Sequence, residues 1–211
     1  MAFCVQLGRA GIAHLPHLTF AFFLVGSAHP DFMSNYRRAR TAGGCYFFTV
    51  VTYARRPILT LPESRFHLRE VITEVRENHP FTIDGWVLLP DLLHCLWTLP
   101  EGDANFSKRW GLIKAGFTKR AKTLLSSSAS HDTRWHRHEG LVWQRRFWEH
   151  EIRDETDFCR HLDYIHINPV KHELVSKVSQ WPHSTFHCWV KQGVYSEDWA
   201  GVVEDDGSFG E

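Results

Sequence analysis

Between Thr82 and Leu99 the chain passes through two apolar segments, Thr82 to Leu89 and Leu93 to Leu99, separated by Pro90-Asp91 and closed by Pro100-Glu-Gly-Asp103. So short a break leaves no room for a crossover connection, and the two segments are expected as an antiparallel strand pair or near neighbours. Upstream, Cys45-Tyr-Phe-Phe-Thr-Val-Val-Thr-Tyr53 is β-branched and aromatic throughout and reads as a third strand. Between it and Thr82, Thr60 and Glu63 have capping-box spacing. Leu68, Val71, Ile72 and Val75 then recur at the spacing of a helix face packed on a sheet, and Asn78-His-Pro80 ends the run. Phe106 to Leu125 predicts a basic amphipathic helix, and Ser126 to Asp132 a Ser-rich loop. Glu155 to Asn168 predicts another helix, with Asp154 as N-cap and Pro169 as the stop. This order implies an α+β fold, an antiparallel sheet with helices on one face.

The 211 residues, 43% hydrophobic and 23% charged, suit one domain with a real core. No apolar run reaches the roughly 18 residues of a membrane-spanning helix. The five cysteines (Cys4, Cys45, Cys95, Cys159, Cys188) form no C-x-x-C pair, which implies reduced thiols in a cytoplasmic chain. A net charge of zero conceals a separation. Lys108 to Arg146 holds ten Lys/Arg against Asp132 and Glu139, whereas Gln192 to Glu211 holds six acids and no Lys or Arg. A basic middle suits a polyanion partner, with the acidic end as an internal mimic; a solvated charged surface is the alternative. Residues 1–32 contain only Arg9 and Asp31 as charges, and Met33 follows them. The expected organisation is an upstream extension over 1–32 outside the domain with Met33 as the start, a domain over 33–190, and an acidic tail over 191–211.

Three places could carry chemistry. On the 155–168 helix, Asp157, His161, Tyr164 and Asn168 share one face. A Tyr there beside His and Asn can act as a nucleophile, or can simply bond a neighbour. In Pro90-Asp-Leu-Leu-His-Cys95, the strand period puts His94 on one face with Leu92 and Leu96, and Asp91 on the other. In Val142-Trp-Gln-Arg-Arg-Phe-Trp-Glu-His150, Arg145 and Arg146 can clamp phosphates while Trp143, Phe147 and Trp148 stack or pack.

Taken in order, several strings resemble the REP-associated tyrosine transposases, a branch of the HUH single-strand DNA nucleases. They are Met33-Ser-Asn-Tyr-Arg-Arg38, Gly43-Gly44 with Tyr46-Phe-Phe-Thr49, Trp86-Val-Leu-Leu-Pro-Asp91, His94-Cys-Leu-Trp-Thr-Leu-Pro-Glu-Gly-Asp103, Arg146-Phe-Trp-Glu-His150, Asp163-Tyr-Ile-His-Ile-Asn-Pro-Val-Lys-His172 and Trp181-Pro-His-Ser-Thr-Phe186. The resemblance implies a ferredoxin-like core followed by a helix carrying the nucleophilic tyrosine. It implies single-stranded or hairpin DNA of the REP type as partner, and a Mg²⁺ or Mn²⁺ ion that polarises a DNA phosphate. Nicking and joining would pass through a 5′-phosphotyrosine. Carried onto this chain, the nucleophile is Tyr164, and the metal ligands are His94 and Asn168. The DNA contacts are the arm Ser34, Asn35, Tyr36, Arg37 and Arg38 together with Arg145 and Arg146. His94, Tyr164 and Asn168 are expected to meet at one surface site.

The chain departs from that family at one position. Where the family has His-x-His, this chain has Leu92-Leu93-His94, and a leucine offers no lone pair. Metal binding is therefore expected to be weakened. Two readings follow, a transposase with a degraded metal site and a hairpin-DNA-binding protein with impaired chemistry.

Overall fold

A computed structural model describes residues 41–127, 142–201 and 209 of the chain. The extension over 1–32, the arm from Ser34 to Arg38 and most of the Ser-rich loop lie outside these residues. Four strands, β1 (Cys45–Val51), β2 (Thr82–Leu88), β3 (Leu92–Thr98) and β4 (Trp148–Glu151), form one sheet in the order β2-β3-β1-β4. Every neighbouring pair is antiparallel. Helices α1 (Pro62–Asn78) and α2 (Phe106–Ser127) connect β1 to β2 and β3 to β4, which gives the ferredoxin-like order. Helix α3 (Glu155–Lys171) and the short α4 (Phe186–Lys191) follow.

The strand period sorts the side chains into two layers. Tyr46, Phe48 and Val50 of β1 pack with Leu68, Val71 and Ile72 of α1 and with Phe106, Trp110, Ile113 and Phe117 of α2. The alternate residues Phe47 and Val51 join Val87, Leu92 and Leu96 under Leu162, Tyr164 and Ile165 of α3. The two helices of the ferredoxin-like core thus share one face, and the tyrosine helix covers the other. Gly85 permits its close approach: a Cβ there would lie 2.8 Å from Leu162 Cδ1. At that separation the Leu162 side chain has to shift out of its packed position.

Several local expectations change. The helix after Thr60 starts at Pro62 with Leu61 as N-cap and no side-chain cap bond, so the Thr60–Glu63 box is not used. Pro62 at the first helical positions supplies the fixed φ that a helix start needs. Asp154 does cap α3, its carboxylate accepting from the Asp157 amide at 2.9 Å. Pro169 does not stop α3, which runs to Lys171. The basic segment contains at least one structural cation. Arg109, 2% exposed, donates to the carbonyls of His79, Asn105 and Pro80 and to Asp103, so it is withdrawn from any polyanion.

The first residues of the acidic segment are also tied down. The Tyr195 hydroxyl donates to Asp163 of α3, and Tyr195 and Trp199 pack around Phe186. On the open side of β2 the chain returns at residues 183–185: Leu88 N–H donates to the His183 carbonyl at 2.9 Å, and Thr185 N–H to the Trp86 carbonyl at 2.9 Å. The four described cysteines are free. Among the described residues no helix is long and apolar enough to cross a membrane.

Candidate functional site

Strand β3 places His94 on the α3 face, opposite Thr49 of β1. The His94 and Tyr164 rings lie 5.3 Å apart at 71°, edge to face. Asn168, one turn beyond Tyr164, is also buried. The strand and helix periods therefore bring His94 and Tyr164 together, and helical spacing keeps Asn168 on the Tyr164 side of α3. The site is not on the surface, however. His94, Tyr164 and Asn168 are 0%, 4% and 0% exposed. Leu92 lies on the same face, fully buried in the layer beneath α3. Asp91, at the start of β3, is held by Arg55 at 3.2 Å and does not turn in toward His94.

What covers the site was not expected. Phe209 lies parallel to the Tyr164 ring with centroids 3.6 Å apart, and Arg160 sits over its ring at 5.5 Å. The Phe209 carbonyl accepts a hydrogen bond from Thr49 Oγ1 at 2.7 Å. This bond sets the His94 tautomer. A threonine hydroxyl has one proton, and a carbonyl can only accept, so the Thr49 proton goes to Phe209. The 2.9 Å contact between Thr49 Oγ1 and His94 Nδ1 then requires the histidine to donate, which leaves the lone pair on Nε2.

On the other side of Tyr164, Lys171 Nζ donates to the phenol oxygen at 3.0 Å and lies 4.9 Å from the ring centroid. Both residues are on α3, seven apart, so they share a face. An ammonium in this position stabilises a phenolate more than a phenol. Lys171 was missed in the sequence reading, although a lysine two turns after a candidate nucleophile was the available signal.

A second polar group flanks the site. His150 of β4 and His161 of α3 stack at 4.5 Å and 13°, with the Asp157 carboxylate 2.8 Å from His150 Nε2 and 3.0 Å from His161 Nδ1. Burial pushes the Asp157 carboxyl up, but the hydrogen bonds from His150 and the Arg153 amide and the charges of both histidines outweigh it, and the net shift is below the ordinary carboxylate value. Burial lowers the pKa of His161. Their donor atoms lie within 4.8 Å of one another, so the three could hold a metal ion. They sit across Phe47 from His94, since the Phe47 ring lies 4.9 Å from His161 and 5.5 Å from His94.

Arg145 and Arg146 are exposed, just before β4. β4 itself escaped the sequence reading, because four residues reading Trp-Glu-His-Glu carry no apolar alternation.

No family model matches the chain. It is 47% identical over 175 residues to a REP-associated tyrosine transposase of Escherichia coli strain K12, covering 82% of this chain and 94% of that protein. It is 42% identical over 176 residues to a putative REP-associated tyrosine transposase of Haemophilus influenzae, covering 80% and 94%. Among solved structures, a REP-associated tyrosine transposase bound to a REP hairpin superposes with a TM-score of 0.69 at 45% identity, over 83% of this chain and 96% of that one.

Proposed function

As this chain belongs to the REP-associated tyrosine transposase family, we propose that it binds REP-type hairpin DNA in the cytoplasm and that Tyr164 is its nucleophile. The observation that carries this reading is the placement of Tyr164, edge-on to His94 at 5.3 Å and hydrogen-bonded to Lys171 at 3.0 Å. In the reaction, Tyr164 Oη attacks a backbone phosphorus and the bond to the 3′ oxygen breaks. The 3′ oxygen takes up a proton, and the 5′ phosphate stays on the tyrosine. Lys171 holds the phenolate charge before attack. The unit that carries this activity is the domain that begins at Met33, together with Tyr195 and Trp199 packed on Phe186. The arm Ser34 to Arg38, with Arg145 and Arg146, contacts the DNA.

Family membership implies a divalent metal, which supplies Lewis-acid polarisation of the phosphate when bound. His94 and Asn168 alone do not make a self-sufficient site for it. His94 Nε2 and the Asn168 amide are neutral donors, Leu92 has none, and Asp91 is engaged with Arg55. Hard cations such as Mg²⁺ favour charged oxygen ligands and a full shell. Leu92, together with Phe209 over Tyr164, favours the reading in which hairpin binding is retained and nicking is weak.

The test is a hairpin with single-stranded flanks, incubated with protein and Mn²⁺ and run on a denaturing gel. Tight binding with a small amount of covalent adduct, absent in Tyr164→Phe, is the expected result. Failure to bind the hairpin, or an adduct that persists in Tyr164→Phe, overturns the reading.

A further inference from the structure

The outer strand loses register with β1 just before β4. Between the pairs Thr52–Trp143 and Thr49–Trp148, β1 moves three residues and the outer strand five, so two are extra. Bulges of this kind re-aim side chains beside functional sites. This one turns Arg145 and Arg146 out to solvent and opens a cavity of about 290 Å³ lined by Thr49, Val51, Arg146, Phe147, Trp148 and Glu149. That volume lies at the small end of ligand pockets, a size for one planar group.

Trp148 at its edge is 42% exposed in a protein whose other described tryptophans are mostly buried. An exposed indole beside an arginine is what a stacked base with its phosphate requires. A third cation stands close by, since Lys114 Nζ donates to the Gln144 carbonyl at 2.8 Å.

The cavity is connected to the tyrosine site. His94, Thr49 and Trp148 form one row across β3, β1 and β4. Thr49 lines the cavity and also touches His94 Nδ1. Two strand spacings separate Trp148 from His94, about 10 Å. A base in the cavity is therefore within about three nucleotides of a phosphate at His94, taking about 3.4 Å per step.

We infer that the Trp148–Arg146 cavity is a subsite for one unpaired nucleotide of the strand flanking the hairpin, with the base stacked on Trp148 and its phosphate on Arg146. This rests on the DNA-binding reading above and adds to it a defined ligand position.

The experiment uses the full chain and REP-type hairpins with single-stranded flanks, in which 2-aminopurine is moved one position at a time through the flank near the nick. Stacking quenches its emission. One position should be quenched by the wild type and restored in Trp148→Ala, with Trp148→Phe keeping part of the effect. Trp148→Ala should weaken flanked hairpins about tenfold, within the range for one stacked base, and leave the bare hairpin unchanged. An abasic site at the quenched position should cost the wild type the same factor and cost Trp148→Ala nothing more. Thermal melting of Trp148→Ala should match the wild type, because the side chain is half exposed. Tight hairpin binding with no Trp148-dependent position, or an abasic penalty that adds to that of Trp148→Ala, overturns the subsite alone. Absence of any hairpin binding by the wild type overturns the DNA reading and the subsite with it.

Discussion

Phe209 lies flat on Tyr164, their ring centroids 3.6 Å apart and their planes 6° from parallel. The contact joins the last residues of the chain to the residue best placed for chemistry, and it is anchored by the Thr49 bond to the Phe209 carbonyl. A phosphate approaching Tyr164 from that side must displace it. Phe209→Ala, or a chain ending after Asp198, should expose Tyr164 to nitration by tetranitromethane and raise the yield of covalent adduct. Mass spectrometry of the Tyr164 peptide and a denaturing gel check the two effects. Equal nitration with and without the tail means that Phe209 does not shield the ring in solution.

Leu92→His should tighten Mn²⁺ binding and raise the rate of adduct formation, because the side chain at 92 faces the same layer as His94. Isothermal titration with Mn²⁺, in the Tyr164→Phe background so that no turnover intervenes, measures the first effect. A second imidazole in a site of this kind should be worth at least tenfold in affinity, as the outer partners of such ligands alone contribute about 10- to 100-fold. Wild type that already binds Mn²⁺ as tightly would mean that another residue occupies the role.

Lys171→Met removes a cation bonded to the Tyr164 oxygen. A hydrogen bond to a charged group contributes about 1.5–3 kcal/mol, so adduct formation should slow by roughly 10- to 100-fold while hairpin affinity is held. Lys171→Arg should recover part of the rate. Equal loss of binding and rate would make Lys171 a DNA contact instead.

His166 gives a pH dependence of stability. It is fully buried against Thr185 at 3.1 Å, and burial, with the charge of His187, lowers its pKa to about 3. The unfolded chain takes up the proton near pH 6.5 and the folded chain does not, so stability is constant above that value and falls as pH drops from about 6.5 toward 3. By pH 5.5 the loss from this one residue is about 1.4 kcal/mol. Urea melts at pH 7.5 and 5.5 measure it, and His166→Gln should flatten the difference. A slope unchanged in His166→Gln would place the effect on His161, which burial also depresses.

Much of the fold was legible because it is local. β1, β2, β3, α1, α2 and α3 each carry their own period, and Pro90-Asp91 forces the β2–β3 pairing. Asp154 was readable as a cap because its bond to the Asp157 amide is three residues away. Thr60 looked equally suitable, but Pro62 starts the helix without it. Pro169 was read as a stop, yet a proline in the last turn costs only one backbone bond, and α3 carries on to Lys171. In the site, the stripe of His161, Tyr164 and Asn168 follows from helical spacing alone. Phe209 does not, because it bonds a residue 160 positions earlier. A single phenylalanine among acids and glycines has no period to read; its isolation was the only sign. The Asp157 bridge between His150 and His161 was hidden for a related reason, since it depends on an edge strand too short to announce itself.

The return of residues 183–185 along β2 limits how copies of this protein can associate. With the Leu88 and Thr185 amides already bonded across that edge, β2 has no continuous row of donors and acceptors to offer another strand. Open edges are where sheets fuse between molecules. A second copy cannot lengthen this sheet through β2, so that border does not template aggregation between copies.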